Sequence, residues 1–352
     1  MSSIKLLYRN HKRRRLLWLG LFVLLLLPAA YLVLLSGAAE ISSRQLWQSL
    51  LAEQGGSAHL VLWQIRLPRL VGALLGGASL ALAGTVLQAV LKNPLAAPTT
   101  LGIAQGAAFG AALGITCSGM RSSIPDLQGG FSGLDESALI SFFAFSFSLL
   151  TTFIIILLTR LRRAGRESII LAGVALSSLF MAGTTFLQYF ADETQLAMIV
   201  HWTFGDLARA SWSELYLMGV VTILSTTYFL ANRLNYNALL AGDEVAQSLG
   251  VNVGCLRLVT MSVASLATAV TVTFFGILGF VGLIAPHMGR RLVGSDNRYL
   301  LPLSAILGAL ILLFADLAGQ SLLDPVALPA GVITSFLGTP VFLLLLFGRR
   351  SS

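Results

Sequence analysis

The sequence predicts an all-α integral membrane protein of about ten transmembrane helices, and three observations carry that prediction. Hydrophobic residues make up 56% of the 352 positions and charged ones only 11%, against about a quarter in ordinary soluble domains. The uncharged runs are long enough to cross a bilayer, which takes about 20 apolar residues rising 1.5 Å each with every amide bonded internally. The cation surplus, 23 Lys plus Arg against 15 Asp plus Glu for a net charge of +8, is gathered in short clusters between those runs. That distribution belongs to membrane topology and not to nucleic-acid binding.

In chain order the runs are Leu16 to Ala39, Leu70 to Leu91, Asn93 to Met120, Ser137 to Thr159, Ser168 to Ala191, Leu215 to Asn232, Leu258 to Gly289, Tyr299 to Ala315 and Pro325 to Gly348. The first, at 24 residues, exceeds the usual signal-peptide core of about 7 to 15 and reads as an uncleaved anchor. The seventh is 32 residues long with Gly276 and Gly279 inside it, so it is either one tilted helix or two. Cation placement decides. Ten spans with a cytoplasmic N-terminus put 18 Lys and Arg inside and 5 outside, whereas nine spans give 13 against 10; the excess belongs inside. The expected organisation is a basic cytoplasmic N-terminus over 1–15, one transmembrane domain over 16–348 with a cytoplasmic loop at 234–254, and a cytoplasmic C-terminus over 349–352.

Several chemistries are excluded. Two cysteines, Cys117 and Cys255, and four scattered histidines offer neither a disulfide framework nor a metal cluster. The only lysines, Lys5, Lys12 and Lys92, precede Leu6, Arg13 and Asn93, so no Walker A loop exists. No nucleophile, base or metal set for catalysis is visible within the runs. Asp316 is the only acid well inside a candidate span, near its outer end, with Arg66 as a conceivable partner; no proton relay can be read.

Gly102, Gly106, Gly110 and Gly114 recur every fourth residue, placing bare backbone on one helix face for close helix packing. Between the fifth and sixth spans, Ala191 to Glu214 carries Asp192, Glu193, His201, Trp202, Asp206, Arg209 and Trp212, which suits an interfacial outer helix or a connecting loop.

Four features suggest mechanism. Arg66-Leu67-Pro68-Arg69 sets two cations on the outer side against the topology rule, with Pro68 at a helix start. They either snorkel to the surface or, in the preferred reading, accept carboxylates of an external partner. In the 234–254 loop, Gly242 breaks the chain, Asp243 and Glu244 favour a helix N-terminus, and Gly250 ends a short helix that includes Ala246 and Leu249; it suits a docking element. At Lys92-Asn93-Pro94, followed by Pro98, prolines force a re-entrant turn whose stranded backbone groups Gln88 and Asn93 can bond. At Gly279 to His287, Pro286 ends a span early above Arg290 and Arg291.

These residues, with Asn93-Pro94-Leu95-Ala96, Leu249-Gly250-Val251, Gly279-Phe280-Val281-Gly282-Leu283-Ile284-Ala285-Pro286-His287 and Leu337-Gly338-Thr339-Pro340, resemble the permease subunits of ABC importers for iron-siderophore complexes, haem and vitamin B12, the FecCD family. The resemblance runs from about Arg66 to the C-terminus. It implies a ten-helix bundle like that of the vitamin B12 importer permease, in a bacterial inner membrane with both termini cytoplasmic. It also implies a second permease chain, two cytoplasmic ATPase subunits, and a periplasmic or lipid-anchored binding protein that delivers cargo. ATP and Mg would bind only the ATPases, and no cofactor this chain. By resemblance, Arg66 and Arg69 receive glutamates of the binding protein, and Asp243 to Gly250 docks on the ATPase. Two departures stand out: Gln320 where the family often has an arginine, and Ala327 where it often has a glutamate. The resemblance allows a homodimer or a heterodimer; on the heterodimer reading, the missing cation comes from a different permease chain.

Overall fold

The fold, a computed structural model, describes residues 2–37, 39, 41–51, 56–123, 135–161, 166–323 and 326–347. The expected C-terminal tail at 349–352 and much of the basic 160–166 loop lie outside the described residues.

A long peripheral helix, α1 (Ser2–Leu35), is followed by α2 (Ser43–Leu51), α3 (Ser57–Val61) and α4 (Leu67–Val90). Then come α5 (Ile103–Ser123), α6 (Glu136–Leu161), α7 (Arg166–Phe190), α8 (Glu193–Thr203), α9 (Trp212–Ala231), α10 (Arg233–Ala241) and α11 (Asp243–Ser248). The chain closes with α12 (Val253–Phe275), α13 (Val281–Val293), α14 (Asn297–Ser321) and α15 (Ala330–Phe347). Seven stretches are long and apolar enough to cross a membrane, and two shorter apolar helices lie in α5 and α15. α13, only 13 residues long and carrying Arg290 and Arg291 in its last turn, belongs to neither set.

The ambiguous run therefore resolves into two helices, though not equal ones. α12 starts earlier than expected, at Val253, with Asn252 capping it through the Cys255 amide, and ends at Gly276, whose φ of +78° no β-carbon-bearing residue adopts easily. Phe280, also left-handed at φ +62°, caps α13.

α4 is the axis of the bundle: 78% of its most apolar window is buried, against 11% for α1. Small residues allow this. A β-carbon on Gly77 or Gly308 would strike the backbone of the other, and one on Gly84 would strike the Gly282 carbonyl. That carbonyl is the one Pro286 cannot bond, since proline lacks the amide that would reach back four residues. Pro286 thus does not end a span; it sits inside α13, and its freed acceptor faces the bare backbone of α4.

The glycine stripe on α5 packs as expected from Gly106 onward, with Gly106 against Phe147 and Thr151, Gly110 against Phe143 and Ala144, and Gly114 against Ile140, all on α6. Gly102 departs from the stripe. It precedes the helix at φ +76° and faces Gly173 and Ser177 of α7.

Candidate functional site

At one end of the bundle, two carboxylates gather the connections. Gly242, at φ +139°, separates α10 from α11, and Gly250, at φ +80°, ends the turn after it. Asp243, at the first position of α11, pairs with Lys92 Nζ at 2.9 Å and Arg257 Nη2 at 3.3 Å. The short helix is thereby tied to the exit of α4 and the start of α12. Ala246 is fully buried, whereas Leu249 is 68% exposed beside exposed Val245, Glu244 and Gly250. The expected short helix is present, but Asp243 and Ala246 anchor it from within, and only its other face is presented outward.

Asp296 forms the second knot, with Arg15 at 3.4 Å, Arg298 at 2.8 Å and the Asn237 amide at 2.9 Å. Burial would raise its pKa, but the hydrogen bonds from Arg298 and Asn237 and the Arg298 charge outweigh it and hold the carboxyl at about 2. The knot therefore stays charged above that pH and loosens only as pH falls through it. Arg15, Lys92, α11 and the α13–α14 turn consequently share one end, as an even number of crossings requires.

The re-entrant turn belongs to the same end. Asn93 Oδ1 accepts the Leu95 amide at 2.8 Å, as expected, while Pro94 is exposed. Gln88 does not bond the turn. It is buried and accepts from Arg290, because it sits a full helical turn before the break, facing α13. Lys92 holds φ +47°, the left-handed position that ends α4. His287 rests edge-on against Phe342, ring centroids 5.9 Å apart.

The opposite end holds the arginine pair. Pro68 does not start a helix; the chain is helical from Ser57, and the ladder slips through a π-turn at Leu62–Arg66 in which the Leu67 amide reaches Leu62 O. Arg66 is only 5% exposed and donates to the carbonyls of Leu34 and Ala39. Arg69 donates to Asp316 Oδ1 at 2.7 Å, with Asp206 at 4.0 Å, and Gln320 completes the cluster on Asp316 Oδ2 at 2.8 Å. The partner of Asp316 is thus Arg69 and not Arg66. Neither guanidinium stands free at the surface, because helix-interior cations at this depth find carbonyls and a carboxylate of their own chain. Both line a cavity of about 310 Å³ that also takes in Gln320 and Ala327.

Nearby, Asp192 caps α8 reciprocally with Gln195. Trp202 is buried rather than interfacial, and Arg209 lies 5.6 Å from the centre of its ring. Burial pushes the Arg209 pKa down, against Glu214 and Asp206, which raise it.

The profile of the FecCD transport family matches residues 23–348, nearly the whole chain. The chain belongs to the FecCD transport family. It is 45% identical over 339 residues to a protein of Methanocaldococcus jannaschii assigned as an ABC transporter permease, covering 96% of each. The hemin transport system permease of Yersinia pestis is 36% identical, covering 95% of this chain and 96% of its own length. The vitamin B12 import system permease of Vibrio cholerae is 33% identical, covering 97% and 98%. Among solved structures, an inward-facing transporter assigned to the metal-chelate ABC type superposes with a TM-score of 0.78 at 31% identity, over 95% of this chain and 99% of that one. The chain is therefore a multi-pass ABC importer permease of the FecCD family, the membrane component in a class whose ATPase is a partner subunit.

For this FecCD permease, sequence reasoning missed the partners of its flagged charges. Arg257 clamps Asp243 from the start of a span, and Arg15 reaches Asp296 across 281 residues. Only the isolation of Asp316 among apolar residues signalled that a cation had to be near.

Proposed function

We propose that this permease carries an iron chelate, with ferric siderophore as the leading cargo, across a bacterial inner membrane from a binding protein at the Arg66 end, driven by ATPase subunits docked on α11. Haem or vitamin B12 is the alternative cargo, as the relatives named for hemin and vitamin B12 illustrate. The observation that carries the coupling role is the Asp243 clamp. A six-residue helix cannot stand alone, yet α11 is braced to two spans and presents Glu244, Val245 and Leu249 outward. Glu244→Lys with Leu249→Asp should leave the protein folded in the membrane while uptake falls and ATP hydrolysis in the assembled complex proceeds without transport. Normal coupling in that variant would remove the docking role.

The binding-protein role at the other end requires carboxylates to reach a cavity whose arginines already have partners. Reversing Arg69 alone tests little, since it strands Asp316; Arg66→Gln is the cleaner probe, because the hydrogen bonds of Arg66 go to the Leu34 and Ala39 carbonyls. Uptake that depends on the binding protein should fall in that variant at unchanged membrane level. Cargo is read from growth of a deletion strain on single sources: ferric siderophores, haem or vitamin B12. Transport without any ATPase partner would instead favour an ion-coupled carrier.

A further inference from the structure

At the Lys92 end, between α4, α10, α13 and the start of α14, lies a cavity of about 420 Å³ whose charged lining is entirely basic: Lys92, Arg290 and Arg291, beside His287. Two carboxylates stand close by: Asp243 pairs with Lys92 of the lining itself and with Arg257, and Asp296 with Arg15, Arg298 and Asn237. The wall also holds two deeply buried polar side chains. Gln88 is 3% exposed and Asn297 1% exposed. The Gln88 Nε2 donor and the Asn297 Oδ1 acceptor have no hydrogen-bond partner among the described residues. A buried amide donor left unmatched is costly, and this one borders a cavity ringed by guanidinium and ammonium groups.

We propose that this cavity is a binding site for a phosphate-bearing anion. Arginine forks and a lysine match phosphate oxygens, and Gln88 adds a neutral donor from the floor. The Asn297 acceptor suits a ligand that also carries a hydroxyl, which both hydrogen phosphate and a phosphatidylglycerol headgroup do. The mouth, at exposed Pro94, Arg291 and Ser295, admits either source. Lys92 serves both this cavity and the Asp243 clamp, so occupancy draws on the cation that braces α11. The binding proposal stands independently of what α11 docks to.

The test uses the full-length chain in neutral detergent, titrated with inorganic phosphate against chloride at equal ionic strength, following thermal unfolding and direct phosphate binding. A parallel arm compares phosphatidylcholine vesicles with and without phosphatidylglycerol. Saturable stabilisation by phosphate identifies a soluble anion; stabilisation by phosphatidylglycerol alone identifies a lipid headgroup. In either case Arg291→Gln should weaken binding about tenfold, the scale of one lost charge-assisted hydrogen bond. Gln88→Glu, which keeps an acceptor for Arg290 but puts a carboxylate in the wall, should abolish it. Arg233→Gln, exposed and outside the cavity, should change nothing. No saturable effect of either ligand, or equal effects in the Arg291 and Arg233 variants, overturns the proposal.

Discussion

Asp316 is fully buried and Arg69 nearly so, at 0% and 11% side-chain exposure, so each charge depends on the other. Removing one member of such a pair leaves an uncompensated buried charge and costs about 3–5 kcal/mol, while replacing both with apolar residues costs far less. Arg69→Leu is therefore expected to lower the unfolding temperature of the detergent-purified protein sharply, and Arg69→Leu with Asp316→Leu to recover much of the loss. Equal losses in the single and double variants would show that the pair is not coupled. The anomaly itself was legible in the sequence, as two cations on the wrong side and one acid in an apolar run. Its resolution was not, since Arg69 and Asp316 are 247 positions apart and nothing local distinguishes Arg69 from Arg66. What separates them is their partners: Arg66, at the end of the π-turn, donates to the Leu34 carbonyl in the last turn of α1 and to Ala39 just beyond it.

At the scale of elements, glycines set how close the helices come, and the contacts rank them. Gly84→Ala drives a methyl group into the Gly282 carbonyl on α13, and backbone there cannot move aside. Gly219→Ala on α9 meets only Leu75, at 3.8 Å, and should gain about 0.5–1 kcal/mol from the helix preference of alanine over glycine. Membrane yield and thermal unfolding of the two variants should thus move in opposite directions. Helix periodicity predicted the α5 stripe because three of its four glycines share one face. It failed at Gly102, where the same spacing continues into a turn, and at Pro286, where a proline is tolerated because its orphaned acceptor meets a neighbour without a side chain.

For the whole molecule, counting cations by side predicts an even number of crossings. The two carboxylate knots agree, since they join Arg15, α11 and the α13–α14 turn at one end. Cys255 is exposed at that end, so a membrane-impermeant thiol reagent should label it in inverted vesicles and not in right-side-out ones. The reverse result would invert the proposed orientation. Composition and charge could carry the reading this far because the bilayer imposes length and sidedness on every span. They could not locate the boundary inside the Leu258 to Gly289 run, where hydropathy is continuous and only backbone handedness at Gly276 and Phe280 marks the break.

That break also says which side of the bundle faces oil. A helix of 13 residues rises about 20 Å, short of the roughly 30 Å hydrocarbon core, so the unwound stretch before α13 lies within the depth of the acyl chains. Bare peptide groups there are intolerable to lipid. The Phe275 carbonyl receives the Asp206 amide, and Gly331 donates to Gly205 beside it, roofing the gap from two other segments. The surface next to it, carrying Thr203, Ser335 and Thr339, must then border water or another protein. Annular lipid suits the least buried of the long apolar helices, α1 and α7, whose most apolar windows are only 11% and 22% buried.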